Sequence, residues 1–152
     1  RCEKNLQSWP HTVGYESRMT DKRPDVSIYL IARDAAKTLE FYVAGLGAEE
    51  IMRWVDPENG KIGHSEFRIG SQHLFLADEY PSMEALGVKS PSALGGTSLN
   101  LWIEVPDVAA AQERAVKAGA KLLVPVETMS VDEGRRCRIA DPAGHVWTLA
   151  GP

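Results

Sequence analysis

The stretch GHSEFR, residues 63–68, places His64, Glu66 and Arg68 two residues apart. On a strand all three would share one face. An imidazole beside a carboxylate can pass a proton, and a guanidinium can hold an anion close by. The same spacing also describes a polar, solvent-facing strip with ion pairing along it. Glu66 is the best candidate general base if the chain catalyses a reaction, and Glu104 in "LNLWIEV" is the second. Cys137 lies between Arg136 and Arg138. Flanking cations lower a thiol pKa, whereas burial in a strand makes the thiol inert. His73 and His145 each stand alone and read as framework histidines.

These residues must be positioned by two similar halves. "VSIYLIARDAAKTLEFYVAGLGAE" runs from an apolar strand into Asp34, a residue type whose carboxylate accepts the free amides of a first helical turn. A helix follows with Ala35, Leu39 and Tyr42 on one side, and it ends at "GLG", since glycine accepts the left-handed conformation there. "SLNLWIEVPDVAAAQERAVKAGAK" repeats the plan: a strand, Asp107, a helix with Val108, Ala111, Ala115 and Ala118 on one face, and Gly119. Each half then continues into a hairpin. The first turns at Gly70-Ser71 and the second at "DPAG". Asp34 matches Asp107 at a separation of 73, and His73 is matched to His145 at 72. The expected fold is α+β, two βαβββ modules at 26–79 and 98–151. They are joined by the Pro/Gly/Ser-rich segment 80–97, a linker or mobile loop.

The remaining bounds are broad. The 152 residues suffice for one domain with a real core, with 43% apolar and 25% charged residues. A net charge of −4 with no basic run gives no footprint for nucleic acid. No apolar run approaches the roughly 20 residues of a membrane span. Two cysteines make no disulfide framework. A cytoplasmic protein is the expectation. Met19 opens "MTDKRPDVSIYL" like a natural start, so residues 1–18 read as an added or upstream-translated extension, and 19–152 as the domain.

In "ARDAAKTLEFY", "GKIGHSEFRIG", "LADEYP", "SPSALGGTSLNLWIEVPDVAAAQERAVKAGA" and "DPAGHVWTLA", taken in order, the chain resembles the vicinal oxygen chelate superfamily. This is the glyoxalase, bleomycin-resistance and dioxygenase group. Within it the chain is most similar to the PhnB-like subgroup. The resemblance covers Val26 to Ala150. It implies a curved mixed sheet forming a cup, helices outside, and a homodimer in which a partner often completes the cup. Known functions of the group range from metal-dependent isomerases, thiol transferases and ring-cleaving dioxygenases to metal-free antibiotic-sequestering proteins.

Metal-binding members hold their ion on the first and last strands of each module. Those positions fall here on Ser27, Leu76, Asn100 and Thr148. Leu76 has no donor atom and the other three are neutral, so no metal is expected. The alternation from these anchors lines the cup with Ser27, Tyr29, Ile31, Leu74, Leu76, Asn100, Trp102, Glu104, Val146 and Thr148, with Phe67 opposite Leu74. Leu76 paired with Ser65 turns His64, Glu66 and Arg68 outward, although a bulge would reverse the facing. His73 would then also face outward. Tyr29 and Trp102 could stack on a flat ligand that Asn100 and Thr148 orient. Met83 and Leu86 in the joining segment could form an apolar lid.

The leading expectation is therefore a metal-independent small-molecule-binding protein with no cofactor. It would sequester an aromatic, apolar or antibiotic-like compound as a homodimer, without nucleic acid or membrane partners. The alternative is an isomerase, lyase or dioxygenase of the same group, with or without a divalent metal, and Glu66 as its base. A third reading is an interaction module whose core is filled.

Overall fold

The computed structural model describes residues 25–129 and 134–152. The extension 1–18, with Cys2, Trp9 and His11, lies outside the described residues. The first module is β1 (Ile28–Ala32), α1 (Ala35–Leu46), β2 (Glu49–Val55), β3 (Ile62–Ile69) and β4 (Gln72–Asp78). The second is β5 (Asn100–Glu104), α4 (Val108–Lys117), β6 (Lys121–Thr128), β7 (Arg135–Ala140) and β8 (Val146–Gly151). The fold is α+β with two four-stranded mixed sheets, ordered β1-β4-β3-β2 and β5-β8-β7-β6.

The chain punctuates these elements as its residue types dictate. Asp34 and Asp107 cap α1 and α4 through the amides of Lys37 and Ala110. Gly47 ends α1 at φ 71°, a left-handed conformation costly for any residue with a Cβ. Gly70, at φ 58°, opens the two-residue turn between Ile69 and Gln72.

The segment 80–97 joins the two modules. It forms two short helices, α2 (Pro81–Glu84) and α3 (Pro91–Leu94). Ser90 caps α3, and its amide and hydroxyl both donate to Glu79, the residue after β4, at 2.9 and 2.6 Å. Proline at the first helical position is tolerated because that amide would be unsatisfied anyway. Leu86, one of the two lid residues expected from sequence, is 75% exposed.

Each helix covers one face of its own sheet, and the two helices meet in a shared core. Tyr42 of α1 stacks on Phe67 of β3 at 4.9 Å and meets Trp147 of β8 edge-on at 5.4 Å. Asp141, in the turn before β8, binds the two modules together. It accepts from the Tyr42 hydroxyl at 2.7 Å and from the Trp147 indole at 2.9 Å. It also accepts from the amides of Ala143 and His145, both at 2.9 Å. Arg114 of α4 donates to the Gly45 carbonyl of α1 at 3.1 Å.

One position shows how closely the chain approaches itself. A Cβ on Gly151 would run into the Val105 carbonyl oxygen. Gly151→Ala is expected to force the end of β8 away from β5 and cost about 1–3 kcal/mol, the range for overpacking a tight site. Chemical denaturation would measure it, and wild-type stability in the variant would refute the close approach.

Candidate functional site

Each sheet has one face covered by its helix and one that is not. Parallel pairing in β1–β4 sets Tyr29 beside Phe75 and Leu30 beside Leu76. Antiparallel pairing in β3–β4 sets Phe75 beside Glu66, Leu74 beside Phe67 and Leu76 beside Ser65. Leu74, Leu76, Phe67 and Ser65 are buried against α1. Tyr29, Phe75, Glu66, His64, Arg68 and His73 share the opposite, open face.

The facing expected for β3 and β4 is therefore corrected. Phe67, Leu74 and Leu76 do not line a cup; they are core, and Ser65 closes on the Leu76 carbonyl at 2.8 Å. His64, Glu66, Arg68 and His73 look onto the open face instead. The physical reason is that α1 needs an apolar surface to bury Leu39 and Tyr42, and the Leu74–Leu76–Phe67 side of the sheet supplies it. The match of His73 to His145 caused the error. Thr148 sits beside Trp102 just as Phe75 sits beside Tyr29. So Thr148 corresponds to Phe75, and His145 belongs to the turn before β8.

The second sheet keeps the expected facing. Asn100, Trp102, Glu104, Val146 and Thr148 share its open face through the registers Asn100–Val146, Trp102–Thr148 and Glu104–Ala150. Trp102 is half exposed, and its indole donates to Glu104 at 2.5 Å. The Thr148 hydroxyl donates to the Asn100 side-chain oxygen at 3.1 Å. Trp147 lies on the helix side. Cys137 is buried there too, and burial pushes its thiol above the ordinary range, so it is not an activated thiolate.

The two open faces correspond row by row but differ in chemistry. Across the first sheet run Tyr29, Phe75, Glu66 and Met52. Across the second run Trp102, Thr148, Arg138 and Val124. An aromatic stands first in both rows. The third place holds a carboxylate in one and a guanidinium in the other. Arg136 and Arg138 lie 2.8 and 3.7 Å from Glu127.

Glu66 is the centre of the first face. It is 3% exposed. His64 Nε2 lies 3.3 Å from one of its oxygens. His73 Nε2 lies 2.9 Å from the other, near enough for an ion pair but out of line for a hydrogen bond. The Tyr29 hydroxyl meets His64 Nδ1 at 2.9 Å. Phe75 is the common floor, with ring centroids 5.6 Å from Tyr29, 5.1 Å from His64 and 5.4 Å from His73. Burial first, and the Glu66 charge second, raise the Tyr29 phenol pKa. At the end of this face Arg68 pairs with Glu49 at 3.0 Å.

Four positions would carry a metal by the resemblance. With the facing corrected they are Ser27, Phe75, Asn100 and Thr148. Phe75 donates nothing, and Asn100 and Thr148 already bond each other. The set does not fit a divalent ion, which calls for imidazole, carboxylate or thiolate. Among the described residues no group of three or more His, Cys, Asp or Glu is arranged to hold a metal. No described helix is long and apolar enough to cross a membrane.

β1 and β5 each end their sheet with one unpaired edge. An open cleft of about 680 Å³ lies between the modules along β5, with Ile28, Leu74, Leu101 and Trp147 in its wall.

Solved structures repeat this architecture. A glyoxalase-related enzyme from Fulvimarina pelagi superposes with a TM-score of 0.61 at 24% identity, over 86% of this chain and 89% of that one. TioX from Micromonospora sp. ML1 gives 0.60 at 20%, over 85% and 96%. The fosfomycin resistance protein FosX from Listeria monocytogenes gives 0.63 at 20%, over 86% and 94%. At such identities the likeness is one of fold. By sequence, an uncharacterized protein of Mycobacterium tuberculosis is 36% identical over 129 residues, spanning 85% of this chain and 75% of its own length. An uncharacterized Mycobacterium bovis protein matches equally over 84% of its length. A family model matches residues 26–149. The chain belongs to the Glyoxalase/Bleomycin resistance protein/Dioxygenase superfamily.

Proposed function

We propose that this chain is a metal-independent binding protein for a small aromatic or apolar molecule. It would work as a homodimer in which the first open face of one copy meets the second open face of another. The observation that carries this is the pair of aromatic residues on the edge strands. Tyr29 is 41% exposed and Trp102 50%, on strands whose outer edges are unpaired. Exposed edges and exposed rings at one place suit assembly and ligand stacking together. Sequestration of a toxic or antibiotic-like compound is one use of such a site.

The test is ligand binding followed by calorimetry, with and without a chelator. A bound aromatic compound should be held equally well after chelation, and Trp102→Ala should weaken it about tenfold. That is roughly 1.4 kcal/mol, within the range for one aromatic contact. Retention of about one metal per chain after soaking, or full affinity in the variant, would sink the reading.

Glu66 between two imidazoles favours a second reading, an acid–base enzyme of the isomerase or lyase type. A Glu66→Gln variant with all turnover intact would remove it.

A further inference from the structure

Glu66 was the expected base, but its burial leaves other atoms to meet a ligand. It is 3% exposed, whereas Tyr29 is 41% exposed and the His64 side chain 25%. These three residues form a chain of contacts leading from the open face inward. A carboxylate can only accept, so the His64 Nε2 that faces Glu66 carries the hydrogen. His64 Nδ1 then presents a lone pair, and the Tyr29 hydroxyl donates to it at 2.9 Å. The alternative acceptor for Tyr29, the Gly63 carbonyl, is more distant at 3.4 Å. With its own hydrogen committed to His64, Tyr29 Oη offers the open face an acceptor and no donor.

We propose that Tyr29, His64 and Glu66 are a proton relay, and that the site takes a small aromatic molecule bearing an acidic hydroxyl, a phenol or an enol. This rests on the binding site proposed above and assigns its ligand class. The ligand O–H donates to Tyr29 Oη. As that bond breaks, its proton passes to Oη while the original Tyr29 proton passes to His64 Nδ1. The products are a ligand oxyanion and an imidazolium, so charge balances without any other reactant. Glu66, in contact with Nε2, stabilises the imidazolium and holds the ring in its orientation; it is a positioning residue. The raised Tyr29 pKa agrees with a phenol that hands its proton on only as it receives another.

The charged groups around the relay are compatible with this. His73 on β4 stands on the far oxygen of Glu66, at 2.9 Å. Arg68 on β3 is paired with Glu49 on β2. Arg53, also on β2, is bonded to Glu50. None of these pairs involves His64 Nδ1, whose partner is Tyr29 Oη. The floor is Phe75, which gives a flat ring a surface to lie on.

4-Nitrophenol is the probe, because its phenolate and phenol absorb differently, and nitrobenzene is the control without a hydroxyl. Bound to the full-length protein, 4-nitrophenol should show a phenolate-to-phenol ratio at least about tenfold above that of free probe at the same pH, one pKa unit. Read at saturating probe, so that a change in affinity does not enter, His64→Gln and Tyr29→Phe should each return the ratio of the bound probe to the free value. Glu66→Gln should reduce the ratio and shift its pH midpoint upward. Binding of 4-nitrophenol with an unshifted spectrum would overturn the relay and leave the binding site standing. Failure of both compounds to bind would overturn the binding site and the relay with it. An unchanged shift in His64→Gln would overturn the assignment of the proton to His64.

Discussion

Asp141→Ala should lower stability by about 3–5 kcal/mol, the range for removing one partner from a buried charged network. In a chain of this length that is a fall of about 6–20 °C in Tm. The carboxylate is 5% exposed and collects hydrogens from Tyr42, Trp147 and two backbone amides. Deleting it strands a phenol and an indole in the core, and each unsatisfied group costs about 1–3 kcal/mol. Asp141→Asn should lie between wild type and alanine, since it keeps the shape and one acceptor oxygen. The pH dependence has a definite sign. Burial alone would raise the Asp141 pKa, but hydrogen bonding and charge from His145, with the bonds from Tyr42 and Trp147, outweigh it and hold it below the ordinary value. A lowered folded-state pKa gives stability that is fully present above the unfolded value. It is lost as pH falls through the folded one. Denaturation curves from neutral pH into acid should therefore decline less steeply in Asp141→Asn. Parallel wild-type and variant curves would show that Asp141 does not titrate with folding.

Phe67→Ala should cost about 3–5 kcal/mol, as for other buried aromatic truncations. Ligand affinity, measured where the variant is still folded, should stay within about twofold of wild type. Phe67 is fully buried, stacked on Tyr42 and turned away from the open face. Phe75→Ala should do the reverse. It removes the surface beneath Tyr29 and His64 while leaving the Tyr42 core intact, so binding should suffer more than stability. Equilibrium denaturation and a binding titration on the two variants separate the faces. Loss of affinity in Phe67→Ala with wild-type stability would mean that the sheet faces the other way.

The elements were legible in the chain because local chemistry announces them. Asp34 and Asp107 mark helix starts, Gly47 a helix end and Gly70 a tight turn, and the structure has each of them in that role. The open face of the second sheet was legible too, since Trp102 and Thr148 alternate cleanly with Leu101 and Trp147. The first sheet was harder. In "HLFLAD" the residues on both faces are apolar, so alternation alone does not choose between Leu74–Leu76 and Phe75–Ala77. Nine residues separate Glu66 from Phe75, but ten separate Arg138 from Thr148, so the two hairpins cannot be aligned through their turns. The better signal lay in β3. Ser65, Phe67 and Ile69 can be buried by a helix, whereas His64, Glu66 and Arg68 cannot without partners. In the joining segment the short helices were not legible, because Pro and Gly read as breakers while Pro81 and Pro91 stand at first helical positions.

The unpaired edges of β1 and β5 give the proposed site a thermodynamic character. If one copy supplies Tyr29 and another Trp102, occupancy and association are not separate equilibria. A ligand that contacts both copies favours the pair over the single chains by mass action, and dilution of the chain weakens its hold on the ligand. Affinity then belongs to a concentration as much as to a set of side chains. A small molecule becomes the bond that completes the assembly.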